Sequence, residues 1–147
     1  MAALAAALAG AMHAPLVCYL RGELGAGKTT FVRAMLGALG YRGRVKSPSY
    51  GLLEHYPLKQ VNILHLDLYR IENAGELEFL GIPDLIDSNT LLLVEWPERG
   101  AGALPEADFM IHTEHVGQRR KVTFTAVTPA AEPLLPVVRQ FLNTFSS

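Results

Sequence analysis

Eight consecutive residues, Gly22-Glu23-Leu24-Gly25-Ala26-Gly27-Lys28-Thr29, constrain this chain more than any other stretch. They satisfy G-x-x-x-x-G-K-[ST], the P-loop pattern, at every fixed position. The glycines let successive backbone N–H groups turn inward around a phosphate, where a Cβ would obstruct them. Lys28 adds a mobile positive charge for the outer phosphates, and Thr29 offers a hydroxyl to a magnesium ion. A helix continuing through Thr30 points its positive dipole end at the same anion.

The flanking residues supply the setting the pattern needs. Leu16-Val17-Cys18-Tyr19-Leu20 is a short apolar run that reads as a buried strand. Phe31, Met35, Leu36 and Leu39 recur at helical spacing before Gly40 ends the run. Strand, glycine-rich loop, helix is the P-loop unit. It implies a nucleoside triphosphate bound with magnesium, by the backbone from Gly22 to Gly27 and by Lys28, Thr29 and Thr30.

Size and charge narrow the rest. At 147 residues the chain suits one domain, and 50% hydrophobic against 18% charged residues implies a globular core. A net charge of −1 without a basic block argues against nucleic-acid binding by bulk electrostatics. Cys18 is the one cysteine, which excludes an internal disulfide and a cysteine-rich zinc site. That usage fits a reducing cytosol, with Cys18 as core packing. The apolar start, Met1 to Ala11, lacks a basic segment and is too short to span a bilayer. It reads as a helix packed on the domain, and no membrane partner is implied.

After the P-loop helix, Tyr41 to Gly51 reads as a loop containing Ser47, Pro48, Ser49 and Tyr50. It is either a solvated connection or a switch-like segment placed to sense a γ-phosphate. Leu52–Tyr56 and Val61–Tyr69 read as strands around a turn at Pro57–Gln60. In the second, Val61, Ile63, His65 and Asp67 share one face, and Leu64, Leu66 and Leu68 the other. An apolar run ending in Asp67 matches a strand aiming a carboxylate at the magnesium shell, although an Asp can also simply cap a strand. His65 is either a metal ligand or, more commonly for a lone histidine, hydrogen-bonded structure. Two short helical pieces follow at 75–81 and 83–87, with an acidic, solvated face. Thr90–Glu95 is a second apolar strand ending in a carboxylate, and Pro97 stops it and fixes the turn that presents Trp96. Phe109–Thr113 and Lys121–Val127 read as an antiparallel pair, and Glu132–Phe145 as an amphipathic helix. The expected fold is α/β: a single-domain P-loop NTPase over residues 1–147, its mixed, mostly parallel sheet flanked by helices. An antiparallel hairpin is expected towards the C-terminus.

Four motifs occur in order: Leu20 to Phe31, Ser47-Pro48-Ser49-Tyr50, His65-Leu66-Asp67-Leu68-Tyr69-Arg70 and Val94-Glu95-Trp96-Pro97. Together, from about Leu16 to Pro97, they resemble the TsaE (YjeE) family of bacterial P-loop ATPases. The resemblance implies slow ATP hydrolysis in the formation of N6-threonylcarbamoyladenosine at position 37 of tRNAs reading codons that start with A. It also implies association with a TsaB–TsaD heterodimer, whose TsaD subunit performs the transfer. Contact with tRNA would run through that complex, and the free chain is expected to be a cytoplasmic monomer. Carried over by position, Thr29 and Glu95 would lie at magnesium, and Asp67 would be a second acid of the hydrolytic site. Trp96 would be needed for activity, Ser47–Tyr50 would be the switch-like loop, and Arg120 matches an arginine often found after the hairpin turn. Two departures accompany this: Ser49 stands where the family usually has threonine, and Met1 falls about where a threonine near adenine is expected.

Rival classes lack their signatures. A small-molecule kinase would carry an arginine-rich lid, and a GTPase switch would carry Asn-Lys-x-Asp and Asp-x-x-Gly; none occurs here. A pure adaptor would not need Lys28, Thr29, Asp67 and Glu95 intact. No arginine finger in cis is evident in the sequence, so a partner surface is expected to complete slow turnover.

Overall fold

Because strand side chains alternate, a strand that is apolar at every position needs cover on both faces. Thr90–Glu95 meets that condition, since all six of its residues are buried. The computed structural model, which describes residues 2–22, 28–45 and 53–146, places this strand inside a six-stranded sheet. The elements run α1 (Ala2–Ala9), β1 (Leu16–Gly22), α2 (Lys28–Ala38), β2 (Leu53–Pro57) and β3 (Asn62–Asp67). A 3-10 helix (Ala74–Leu80), α3 (Ile82–Leu85), β4 (Thr90–Glu95) and a 3-10 turn (Pro97–Gly100) follow. The chain ends with β5 (Phe109–Val116), β6 (Arg119–Ala126), a 3-10 turn (Pro129–Ala131) and α4 (Leu134–Ser146).

The spatial order is β2-β3-β4-β1-β5-β6. The central ladders β3–β4, β4–β1 and β1–β5 are parallel, and an antiparallel hairpin closes each edge. The expected mostly parallel sheet with a C-terminal hairpin is therefore what forms. Alternation divides the core in two. Leu16, Cys18, Leu20, Ile63, Leu91 and Leu93 pack with Leu4 and Leu8 of α1, Phe31 and Met35 of α2 and Leu134 of α4. Leu64, Leu66, Leu92 and Val94 point the other way, under Ile71, Leu77 and Ile82. The alanine-rich start is thus a packed helix, with Ala5 and Leu8 wholly buried. Cys18 is plain core.

Several boundaries differ from the sequence reading, some for a plain local reason. β3 stops at Asp67 rather than Tyr69, because the Asp67 carboxylate accepts the Tyr69 N–H at 3.1 Å and turns the chain. The hairpin extends to Val116 and Arg119, because Gly117 supplies the positive φ (62°) of a tight turn. The helical piece at 75–81 forms as a 3-10 helix over Ala74–Leu80, one residue earlier, and is ended by Gly81 in the left-handed conformation. β1 reaches Gly22, the first P-loop glycine, which pairs with Thr113 at φ 145°. A Cβ there would sit 2.5 Å from the Thr113 carbonyl oxygen, so no other residue lets β1 run into the loop this way.

Candidate functional site

The parallel register brings the chemistry together. Asp67 and Glu95 are Cα partners at the C-terminal ends of β3 and β4, and β4 lies beside β1, which leads into the P-loop. Residues 63, 65 and 67 of β3 and 91, 93 and 95 of β4 occupy the sheet face that α2 covers, as Ile63, Leu91, Leu93 and Phe31 show by packing together. α2 begins at Lys28. In open α/β sheets ligands bind outside the carboxyl ends of the strands, which is where these residues stand.

Lys28 is 5% exposed, and its Nζ donates to the Gly22 carbonyl at 2.5 Å. The same ammonium lies 3.8 Å from the centroid of the Trp96 ring. Burial pushes its pKa down, while the charges of Glu95, Asp67 and Glu98 push it back up. A desolvated ammonium facing backbone, a π-face and acids is a receptor for further negative charge. Thr29, half-buried in the first turn of α2, and exposed Thr30 follow it. Glu23, Leu24, Gly25, Ala26 and Gly27, the rest of the expected cradle, lie outside the described residues. So do Ser47, Pro48, Ser49 and Tyr50 of the expected switch-like loop. The Arg120 side chain is also outside them, while its backbone pairs with His115 in the β5–β6 hairpin.

The two acids sit in different surroundings. Burial raises the Asp67 carboxyl above the usual carboxylate range; the Tyr69 N–H and the neighbouring His65 and Lys28 oppose this, and Glu95 adds to it. Glu95 is 3% exposed and tied to His65, whose Nε2 lies 2.6 Å from Glu95 Oε2. A carboxylate only accepts, so the ring N–H donates to it. His65 is wholly buried, and its Nδ1 has no partner among the described residues. Of the two readings open for His65, the contact is the hydrogen-bonded one, and it orients a carboxylate as outer partners of metal ligands do. Removing the ring would leave Glu95 buried without its donor. His65→Ala is expected to lower stability by about 3 kcal/mol, measured by denaturant unfolding; an unchanged midpoint would mean the pair contributes nothing.

Trp96 lies where β4 turns into Pro97–Gly100, and it has a left-handed backbone (φ 59°, ψ 49°). That conformation strains an aromatic residue, doubly so before proline, and such strain persists where the surroundings over-determine it. Here the Trp96 N–H reaches the Leu20 carbonyl at 3.4 Å, and the ring meets Tyr69 at 5.1 Å as well as Lys28. Two members of this cluster escaped the sequence reading. Tyr69 was grouped with the strand, and Arg99 passed unnoticed although its guanidinium lies 5.5 Å from the Tyr69 ring and 5.9 Å from the Trp96 ring. The signal was position: Tyr69 follows Asp67 by two residues and Arg99 follows Glu95 by four, each just past its strand's acidic end.

These residues fit a magnesium-bound triphosphate. Among the described residues no group of three or more His, Cys, Asp or Glu side chains could hold a metal by itself. Magnesium is usually held by one or two carboxylates together with substrate phosphates, and two carboxylates in register beside a buried ammonium match that demand. Among the described residues no helix is long and apolar enough to cross a membrane.

Comparison with known proteins identifies the family. The family model described as threonylcarbamoyl adenosine biosynthesis protein TsaE matches residues 1–122. The tRNA threonylcarbamoyladenosine biosynthesis protein TsaE of Haemophilus influenzae is 44% identical over 113 residues, covering 77% of this chain and 72% of that one. The Bacillus subtilis protein of the same name is 36% identical over 112 residues, covering 76% and 70%. The crystal structure of Bacillus subtilis YdiB superposes with a TM-score of 0.78 at 27% identity, covering 95% of this chain and 88% of that one. With most of its length matched by the family model, this chain belongs to the TsaE family of threonylcarbamoyl adenosine biosynthesis proteins.

Proposed function

We propose that this protein binds ATP with magnesium and hydrolyses it slowly, as the ATPase that lets a TsaB–TsaD pair turn over in tRNA threonylcarbamoyladenosine formation. The observation that carries this is the convergence of Lys28, Asp67, Glu95 and Trp96 at the strand ends beside the start of α2. Family membership supports the pathway; the partners and the hydrolytic step are part of this reading.

In the proposed reaction a water oxygen bonds to the γ-phosphorus as the bond to the leaving ADP oxygen breaks, giving ADP and inorganic phosphate. Lys28 and the P-loop amides hold the phosphates where negative charge develops. Thr29 and Glu95 would hold magnesium, which when bound neutralises charge on the β- and γ-phosphates. Glu95 suits that post because His65 fixes its carboxylate. Asp67 orients the water and takes up its proton, a task for which a carboxyl raised by burial is the better base. Trp96 covers the Lys28 ammonium on one side and keeps water from it.

The reading is tested by mixing the purified protein with TsaB, TsaD, MgATP, an activated threonylcarbamoyl donor and substrate tRNA, then following phosphate release and tRNA modification together. Modification beyond one round per complex is expected only when this protein and ATP are present. Repeated modification without it would overturn the proposed role and leave the nucleotide site standing.

A further inference from the structure

The segment Ile71–Asn89 carries Glu72, Glu76, Glu78, Asp84 and Asp87 and no Lys, Arg or His, in a chain whose total charge is −1. It also carries the most exposed large hydrophobic side chain among the described residues, Phe79 at 92%. The local helix explains why Phe79 points outward. With about three residues per 3-10 turn, Leu77 and Leu80 share one face and Glu76 and Phe79 another. Leu77 is buried and Leu80 packs against the same core, so Phe79 must face solvent.

Beside this knob is a cleft of about 390 Å³. Its apolar lining includes Leu77, Pro83 and Ala103, and the exposed carboxylates of Glu78 and Asp84 also border it. Leu85, 43% exposed, extends the apolar surface along the same segment. A lysine or arginine fits such a cleft, with its stem on the apolar lining and its head between the acids. The cleft also lies against the turn that leads away from the candidate site. A Cβ at Gly100 would lie 2.8 Å from Leu77 Cδ1 and 2.7 Å from Leu68 Cδ1, so the cleft's own leucine packs on the turn that follows Trp96.

We infer that Phe79 and the acidic cleft form the docking face for a partner protein whose surface has an apolar hollow rimmed by lysine and arginine. The charge selects this occupant. Nucleic acid and anionic membrane would both be repelled, and a second copy of the chain would set its own Glu78 and Asp84 carboxylates against this pair. A large apolar anchor beside a polar rim is the usual anatomy of a protein interface. This assignment rests on the proposed function, since it takes the TsaB–TsaD pair to be the partner that presents the basic hollow.

The test compares wild type, Phe79→Ala and the Glu78→Lys/Asp84→Lys double variant for binding to the TsaB–TsaD pair by calorimetry with MgATP. ATPase activity and melting temperature of each protein alone serve as controls. Wild type is expected to bind with an affinity that weakens as salt rises. Phe79→Ala is expected to bind at least about thirtyfold more weakly, and the double variant to bind weakly with little salt dependence. Both variants are expected to keep wild-type ATPase activity alone, because neither site touches Lys28, Asp67 or Glu95. Affinity equal to wild type in either variant would overturn the docking face while leaving the proposed function in place. Failure of wild type to bind the pair would overturn both. Self-association of wild type that Phe79→Ala abolishes would assign the face to a second copy and overturn the inference.

Discussion

Lys28→Ala is expected to reduce ATP hydrolysis by at least about 100-fold, the scale of losing one preorganised charge-stabilising donor at a reacting centre. The ammonium is nearly buried, bonded to the Gly22 carbonyl and placed over the Trp96 ring, so neither water nor a neighbouring cation can take its place. Burial alone would favour the neutral amine; Glu95, Asp67 and Glu98 oppose that, and a bound triphosphate would oppose it further. Lys28→Arg is expected to fail as well, because a planar guanidinium cannot enter a space shaped around a point charge. Steady-state phosphate release checks both variants, with melting temperature as the control for folding. Turnover at the wild-type level in Lys28→Ala would remove the phosphate clamp from the mechanism.

Asp67→Asn and Glu95→Gln are expected to separate two roles that the residue types alone leave interchangeable. Asp67→Asn should lower turnover by about 100-fold or more and leave binding of the magnesium nucleotide nearly intact. Glu95→Gln should instead raise the magnesium concentration needed for half-maximal activity. The reason lies in their surroundings. Glu95 is held by the His65 N–H, whereas among the described residues Asp67 accepts only from the Tyr69 amide, and its carboxyl is raised chiefly by burial. The sign of the pH effect follows from that raised carboxyl. In the free protein Asp67 contributes stability below the ordinary carboxylate range, and this is lost as pH rises through its elevated folded value. Activity runs the opposite way, because only the ionised form accepts a proton. Hydrolysis should therefore fall on acidification at a pH above the usual carboxylate range, and Asp67→Asn should abolish that limb. A wild-type acid limb surviving in Asp67→Asn, with loss of magnesium dependence instead, would exchange the two assignments.

Much of this was legible in the sequence because the signals are local. A glycine-rich loop between an apolar strand and an amphipathic helix, two apolar runs each ending in an acid, and a hairpin broken at Gly117 each depend on residues close in the chain. They were enough for the mixed sheet and its terminal hairpin, and they singled out Lys28, Asp67 and Glu95, which the structure brings to one end of the sheet. Boundaries were less legible, since Asp67 ends β3 through a hydrogen bond that its apolar neighbours do not announce.

Relations across the sheet lay beyond the sequence. That Asp67 and Glu95 stand in register, on the face that α2 covers, follows from pairing two strands over twenty residues apart. The same pairing moves His65 from a lone histidine to the donor that holds Glu95. It sets Trp96 under the Lys28 ammonium, a contact between the turn after β4 and the start of α2 that periodicity cannot describe. The acidic face at 75–87 was legible as charge, but only the 3-10 packing of Leu77 and Leu80 turned Phe79 outward beside a cleft. Sequence order dictated which chemical groups this chain carries; the tertiary structure, by burying them in pairs where water cannot screen their charges, decided which of them act on one another.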